Sequence, residues 1–305
     1  MSDAPKQPRA TIRDRTIQKI VLTFPRPYAI LNFMNKTTLK KEDYAEPCCP
    51  FEKPDAVQTI PLRRVLDKLD EYFARDDAAG AERHLNYWLA EAEQNRDDRG
   101  KLSLLNELVG LYRKTDREEE AMAAAGQAVS LAKAIGLEGS VTMGTTLLNY
   151  ATACRAFDHP EKALDLYEQA RGLYEANLSP GDGRLAGLYN NMGVTLTALE
   201  RYAEARDLYE SALAIISQTE GGQADEAVTW LNLADLIGNE KGLEQGDAAI
   251  RKCLDKAEAL LNDEALPHDG YYAFVCEKCA PTFAYYGYYF TAKELERRAK
   301  AIYGT

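Results

Sequence analysis

The sequence predicts an all-α protein, an α-solenoid of about six helix pairs preceded by an irregular N-terminal extension. Three observations carry this expectation. Apolar residues recur at three- and four-residue spacing through most of the chain. A motif of two such stretches returns about every 42 residues, and turn-forming residues fall between the stretches. Hydrophobic residues make up 46% of the chain and charged residues 28%, enough apolar material for a continuous core.

The clearest copy of the motif is LYNNMGVTLTALERYAEARDLYESALAII, residues 188–216. On its first stretch Tyr189, Met192, Gly193 and Leu196 share one helical face, and on its second Ala205, Leu208, Tyr209 and Ala212 do the same. Small residues therefore stand where two helices cross. Stepping back 42 residues from Ala205 reaches Ala163, and 42 more reaches Ala121, while Gly193 maps onto Ala151 and Val109. A degenerate copy surrounds Ala81, and a terminal copy is centred on Ala280, Gly287, Ala292 and Ala299. Between them, residues 230–261 repeat the theme with a turn that reads as stretched and blurs the register. The expected organisation is a basic arm and Pro-rich linker over 1–61 and a repeat array over 62–305. Its approximate repeats are 62–97, 98–139, 140–183, 184–223, 224–266 and 267–305.

A small-apolar first helix, a tight turn, and then an Ala, an aromatic and an Ala on the second helix resemble the tetratricopeptide repeat family. The spacing of about 42 residues, with loops such as LSPGDG before LYNNMG, looks most like the longer repeats of kinesin light chains. The resemblance covers about four fifths of the chain. It implies a right-handed solenoid whose first helices line a concave face, and a protein-binding scaffold rather than an enzyme. The expected mechanism is preorganised binding without a chemical step, and no cofactor is expected.

Punctuation agrees with these boundaries. Pro160 opens a second helix, where its missing N–H costs little. Asp116 and Glu119 have the spacing of an N-cap and capping box. Ser179 to Gly183, Gly221-Gly222 and Pro267 to Gly270 separate repeats.

A ladder one repeat apart on the first helices reads Asp67, Glu107, Asn149, Asn191, Asn232 and Lys278. Asn106 and Asn190 lie one position earlier. Arg113 and Arg155 occupy equivalent places a turn later, with Lys114 beside the first. Asparagine is a mediocre helix former, so its repetition on one face calls for a reason. An amide offers both donor and acceptor and so can hold a peptide unit without reading its side chain. The resemblance implies that Asn149, Asn191 and Asn232 are counterparts of an asparagine ladder that clamps an extended ligand, with Arg113, Lys114 and Arg155 receiving a carboxylate. The competing reading is that these amides bond between adjacent helices.

Other motifs carry less. Cys276 and Cys279 form a C-x-x-C, and with Cys48 and Cys49 could supply four thiolates to zinc or a redox centre. Both, however, fall on inward-packing positions, where cysteine acts as a small hydrophobe. His84, His159 and His268 sit on different repeats, and no catalytic triad can be assembled from them. Tyrosines 271, 272, 285, 286, 288 and 289 either fill and cap the C-terminal core or form an aromatic partner surface.

The net charge of −11 is uneven. Residues 1–41 hold nine Lys/Arg against Asp3 and Asp14, about +7, leaving about −18 for the rest. An acidic body disfavours nucleic acid as a partner. No signal peptide or membrane span is predicted, so the expected compartment is the cytoplasm, with thiols and no membrane partner. A homo-oligomer is compatible with a stacked repeat surface. Around Pro25-Arg26-Pro27 lie two short apolar segments, IVLTF and YAILNFM, and residues 17–35 are expected to pack on the array or occupy its groove. The leading functional expectation is thus a scaffold holding an extended peptide or protein segment. The alternatives are a peptide-sensing regulator, or a metal or redox protein built on the cysteine pairs.

Overall fold

The computed structural model describes residues 59–304. The N-terminal arm, its two apolar segments, and Cys48 and Cys49 therefore lie outside the described residues. Within 59–304 the chain forms eleven helices and no strand. They are α1 (Leu62–Ala74), α2 (Ala78–Gln94), α3 (Asp98–Lys114), α4 (Glu118–Ala134), α5 (Val141–Ala156), α6 (Pro160–Asn177), α7 (Gly183–Ala198), α8 (Tyr202–Ile216), α9 (Gln223–Leu261), α10 (Gly270–Tyr285) and α11 (Tyr289–Tyr303).

The turn inside each pair is set by one backbone feature. Asp76, Asp116, Asp158 and Glu200 have φ between 53° and 65°, and Gly287 has φ of 87°. This left-handed residue lets the next N–H reach back five positions. Asp77 N donates to Tyr72 O at 2.9 Å, Arg117 to Tyr112 at 2.9 Å, His159 to Cys154 at 2.9 Å, Arg201 to Leu196 at 2.9 Å and Tyr288 to Phe283 at 2.8 Å. That bond closes a Schellman-type C-cap, and aspartate tolerates the conformation better than most residues with a Cβ.

Two sequence expectations are corrected here. Asp116 is not an N-cap. It is the left-handed turn residue, and α4 begins after Arg117, whose side chain makes no cap bond. Glu118, Glu119 and Glu120 instead meet the positive end of the helix dipole. The fifth pair has no stretched turn either. Gly242 stands 42 residues after Glu200 with φ 77° and ψ 166°, the same place in the repeat, and divides α9 into two arms. A Cβ on Gly238 would lie 3.8 Å from Ile250 Cδ1. Twelve residues of straight helix would separate them by about 18 Å, so the arms fold back on each other.

Side chains at the crossings explain the small residues. Ala81, Ala121, Ala163, Ala205 and Ala151 are fully buried. A Cβ on Gly193 would come within 2.6 Å of the Tyr209 ring, so glycine is what lets α7 and α8 approach. Tyr167 and Tyr209 are buried against the first helices of their own pairs, each contributing a few kcal/mol of apolar burial. Cys154, Cys253, Cys276 and Cys279 are free and buried. No described helix is long and apolar enough to cross a membrane.

Gly193→Val should destabilise the array by about 2–3 kcal/mol through overpacking against Tyr209. Gly242→Ala should cost about 1–3 kcal/mol, because its φ and ψ lie in a region open to little but glycine. Urea unfolding followed by circular dichroism checks both.

Candidate ligand groove

Along the first helices the asparagines fall into two clasps. Asn106 Nδ2 donates to Thr146 Oγ1 at 3.2 Å, and Asn149 Nδ2 donates to Asn106 Oδ1 at 2.9 Å. Two repeats later Asn190 Nδ2 donates to Thr229 Oγ1 at 2.9 Å, and Asn232 Nδ2 donates to Asn190 Oδ1 at 3.2 Å. Each clasp ties one first helix to the next, α3 to α5 and α7 to α9. Asn190 is fully buried. An amide there is tolerated because its carbonyl and N–H₂ group are both engaged.

The step from α5 to α7 has no clasp. Leu148 stands where Asn106 and Asn190 stand in the neighbouring steps, and Leu188 stands where Thr146 and Thr229 do. Asn191 is left without the partner that Asn149 and Asn232 enjoy. It is 3% exposed, and its Oδ1 has no hydrogen-bond partner among the described residues. Arg155, at the end of α5, likewise has a buried Nε without one. An unsatisfied acceptor and an unsatisfied donor thus stand in the middle of the ladder.

Cations gather around this place. Burial, reinforced by the Arg155 charge, lowers the Arg113 guanidinium to about 10 despite an opposing effect of Tyr167. Partial desolvation lowers the ammonium of Lys278, whose side chain remains exposed. Glu277 opposes this, and Lys114 and Arg113 add to it. Lys278 belongs to the sixth pair and Arg113 to the second. Lys114 and Lys278 also lie over Phe73 and Phe274, at 5.2 and 5.6 Å from the ring centroids. Among the described residues no ion pair neutralises Arg113, Lys114, Arg155 or Lys278.

Carboxylates occupy the far side. Asp225 accepts from Tyr271 Oη, and Asp235 accepts from Tyr286 Oη at 2.8 Å, so two tyrosines of the sixth pair dock on the fifth. Burial raises both carboxyls to about 6, against the lowering effect of the tyrosine hydroxyls. The Tyr209 phenol is pushed up by burial. Thr197 lowers it, Asp235 raises it and Arg155 lowers it. The ladder reading found Asn106, Asn149, Asn190 and Asn232 but missed Thr146 and Thr229, which lie three residues before Asn149 and Asn232. It placed Lys278 in the ladder without joining it to the basic cluster, and it missed Asp225 and Asp235.

The remaining motifs serve packing. Burial raises the Cys276 and Cys279 thiols, which disfavours thiolate chemistry. Among the described residues no group of three or more His, Cys, Asp or Glu is placed to hold a metal ion. His84 Nε2 meets Val65 O at 2.9 Å, His159 pairs with Glu118 at 2.7 Å, and His268 stacks on Tyr272. Tyr272 is core, Tyr288 bonds to Asp255, and Tyr285 and Tyr289 are exposed.

Residues 184–237, which span α7, α8 and the first arm of α9, match the model of the tetratricopeptide repeat. Over that segment the chain is similar to tetratricopeptide repeats. Among solved structures, BtubC (BKLC) from P. vanneervenii is similar at 23% identity and a TM-score of 0.58, covering 68% of this chain and 83% of that one. A Podosopora anserina protein with nearly identical TPR-like repeats of kinesin-light-chain type is 17% identical over 66% of this chain and 94% of its own, with a TM-score of 0.48. A tetratricopeptide repeat protein from Parabacteroides merdae is 17% identical, covers 78% of this chain and 98% of its own, and has a TM-score of 0.39. Curated proteins give no match. Tetratricopeptide repeats as a family mediate protein–protein interactions.

Asn190→Ala should destabilise the fold by roughly 1–3 kcal/mol, since it leaves Asn232 and Thr229 buried without their partner. Folded-state carboxyls raised above their unfolded value of 3.8 contribute stability that is fully present below that value and lost as pH rises through about 6. Docking of the sixth pair should therefore weaken between pH 4 and 7. Asp235→Asn, which keeps an acceptor for Tyr286, should flatten that slope in thermal melts.

Proposed function

We propose that this protein is an interaction scaffold whose groove holds an extended, carboxylate-bearing segment of another polypeptide. Asn191, Arg155 and Arg113 form its central contact, and Lys114 and Lys278 flank it. The observation that carries this reading is the missing clasp between α5 and α7. It leaves the Asn191 acceptor and the Arg155 donor without partners among the described residues, with the Arg155 charge acting on the buried Arg113.

A peptide supplies what this place lacks. Its N–H can donate to Asn191 Oδ1, and a side-chain or terminal carboxylate can accept from the guanidinium groups of Arg155 and Arg113. A bound carboxylate would also relieve the repulsion between these two cations. Asn106, Asn149, Asn190 and Asn232 act in this reading by fixing the helices on either side. The binding energy then falls on a few preorganised groups, with no chemical step and no cofactor.

Pull-down from cytosol with wild-type protein and with a folded Asn191→Ala, Arg155→Ala variant tests the reading. A partner held by wild type should bind the variant at least about tenfold more weakly and weaken with salt. A partner bound equally by both proteins would remove the groove from consideration.

A further inference from the structure

The array begins with an aromatic strip that its own repeats do not cover. Tyr72, His84, Trp88 and Tyr87 stand in series, with ring centroids 5.5, 6.5 and 5.3 Å apart along the outer side of α1 and α2. Tyr87 is 57% exposed, and Tyr72, His84 and Trp88 are half-buried. At the corresponding positions of the second pair stand Ala124, Gln127 and Ala128, of which Ala128 is fully buried. Large aromatics have thus replaced small or polar residues in the first pair, where they are only partly covered.

The strip lies where the N-terminal segment enters. A Cβ on Gly80 would touch Tyr72, and His84 meets Val65 O, so α2 runs antiparallel to α1 and Trp88 is level with Leu62. α1 begins one turn later in the repeat than α3, which leaves that end of α2 beside Pro61 and Ile60. Ile60 is buried, and its N–H donates to Asp97 Oδ2 at 2.9 Å. The chain before it therefore leaves from a fixed point next to Trp88.

We propose that residues 20–34 of the same chain cover this strip, with Ile20, Leu22 and Phe24 against Trp88 and its neighbours. Between Met34 and Ile60 the chain can reach about 90 Å, far more than needed, and tethering of this kind gives a local concentration of about millimolar. The stretch IVLTFPRPYAILNFM is strongly apolar, and Pro25 and Pro27 bar a continuous helix through it. An extended IVLTF puts Ile20, Leu22 and Phe24 on one side, matching a strip about five residues long. Charge decides against the groove as its place. The segment lies within the arm of nine Lys/Arg, and among the described residues no ion pair is formed by Arg113, Lys114, Arg155 or Lys278.

Trp88 and Trp230 are the only tryptophans, so the full chain carrying Trp230→Phe reports on Trp88 alone. Adding Ile20→Asp, Leu22→Asp and Phe24→Asp to it should shift Trp88 emission to the red. It should also make Trp88 about twofold more accessible to acrylamide, as for an indole losing cover on one face. Far-ultraviolet circular dichroism should stay unchanged, because the substitutions lie outside the array. Identical emission and quenching in the two proteins would overturn the proposal. So would protection of Trp88 that appears only with rising concentration alongside a dimer in sedimentation, since that assigns the strip to a second copy.

Discussion

One backbone event recurs through the array and sets everything else: a single residue of positive φ, placed 40 to 45 residues after the last, at the turn between the two helices of each pair. It fixes where the first helix stops and at what angle the second returns. The small residues at the crossings then face one another in every pair. Aspartate, glutamate and glycine all fill this place. The requirement is therefore for a conformation, and residue types are free to vary if they can adopt it. Gly242 shows the limit of the scheme, because there the turn is so tight that the two helices meet with one residue between them.

Given that frame, the inner face is a matter of register. Asn106 and Asn190 lie two repeats apart, and each is answered by a threonine and an asparagine one repeat further on. The alternation makes the inner wall rigid at α3–α5 and α7–α9 and leaves its polar groups unengaged at α5–α7. The step with Leu148 and Leu188 at these positions lies between the two clasps.

Charge adds a second asymmetry. Acidic groups dominate the chain, yet the Arg155 charge acts on a buried Arg113, and Asp225 and Asp235 are bound to tyrosines of the sixth pair. Most ion pairs on the outer surface join residues three or four apart on exposed helix faces, and such pairs add little stability.

The sequence by itself determined the helical class, the period, the crossing residues and the pairing of helices. These follow from local spacing, where residues three, four and about 42 apart already carry the pattern. It also showed which positions form the inner ladder. Only the tertiary structure decided which amides bond to one another, because a hydrogen bond between Asn149 and Asn106 depends on how far α5 slides past α3. It also decided that Asp116 turns the chain rather than capping a helix. The docking of Tyr271 and Tyr286 on Asp225 and Asp235 was equally hidden, since it depends on how the sixth pair sits against the fifth, which no single stretch of sequence contains.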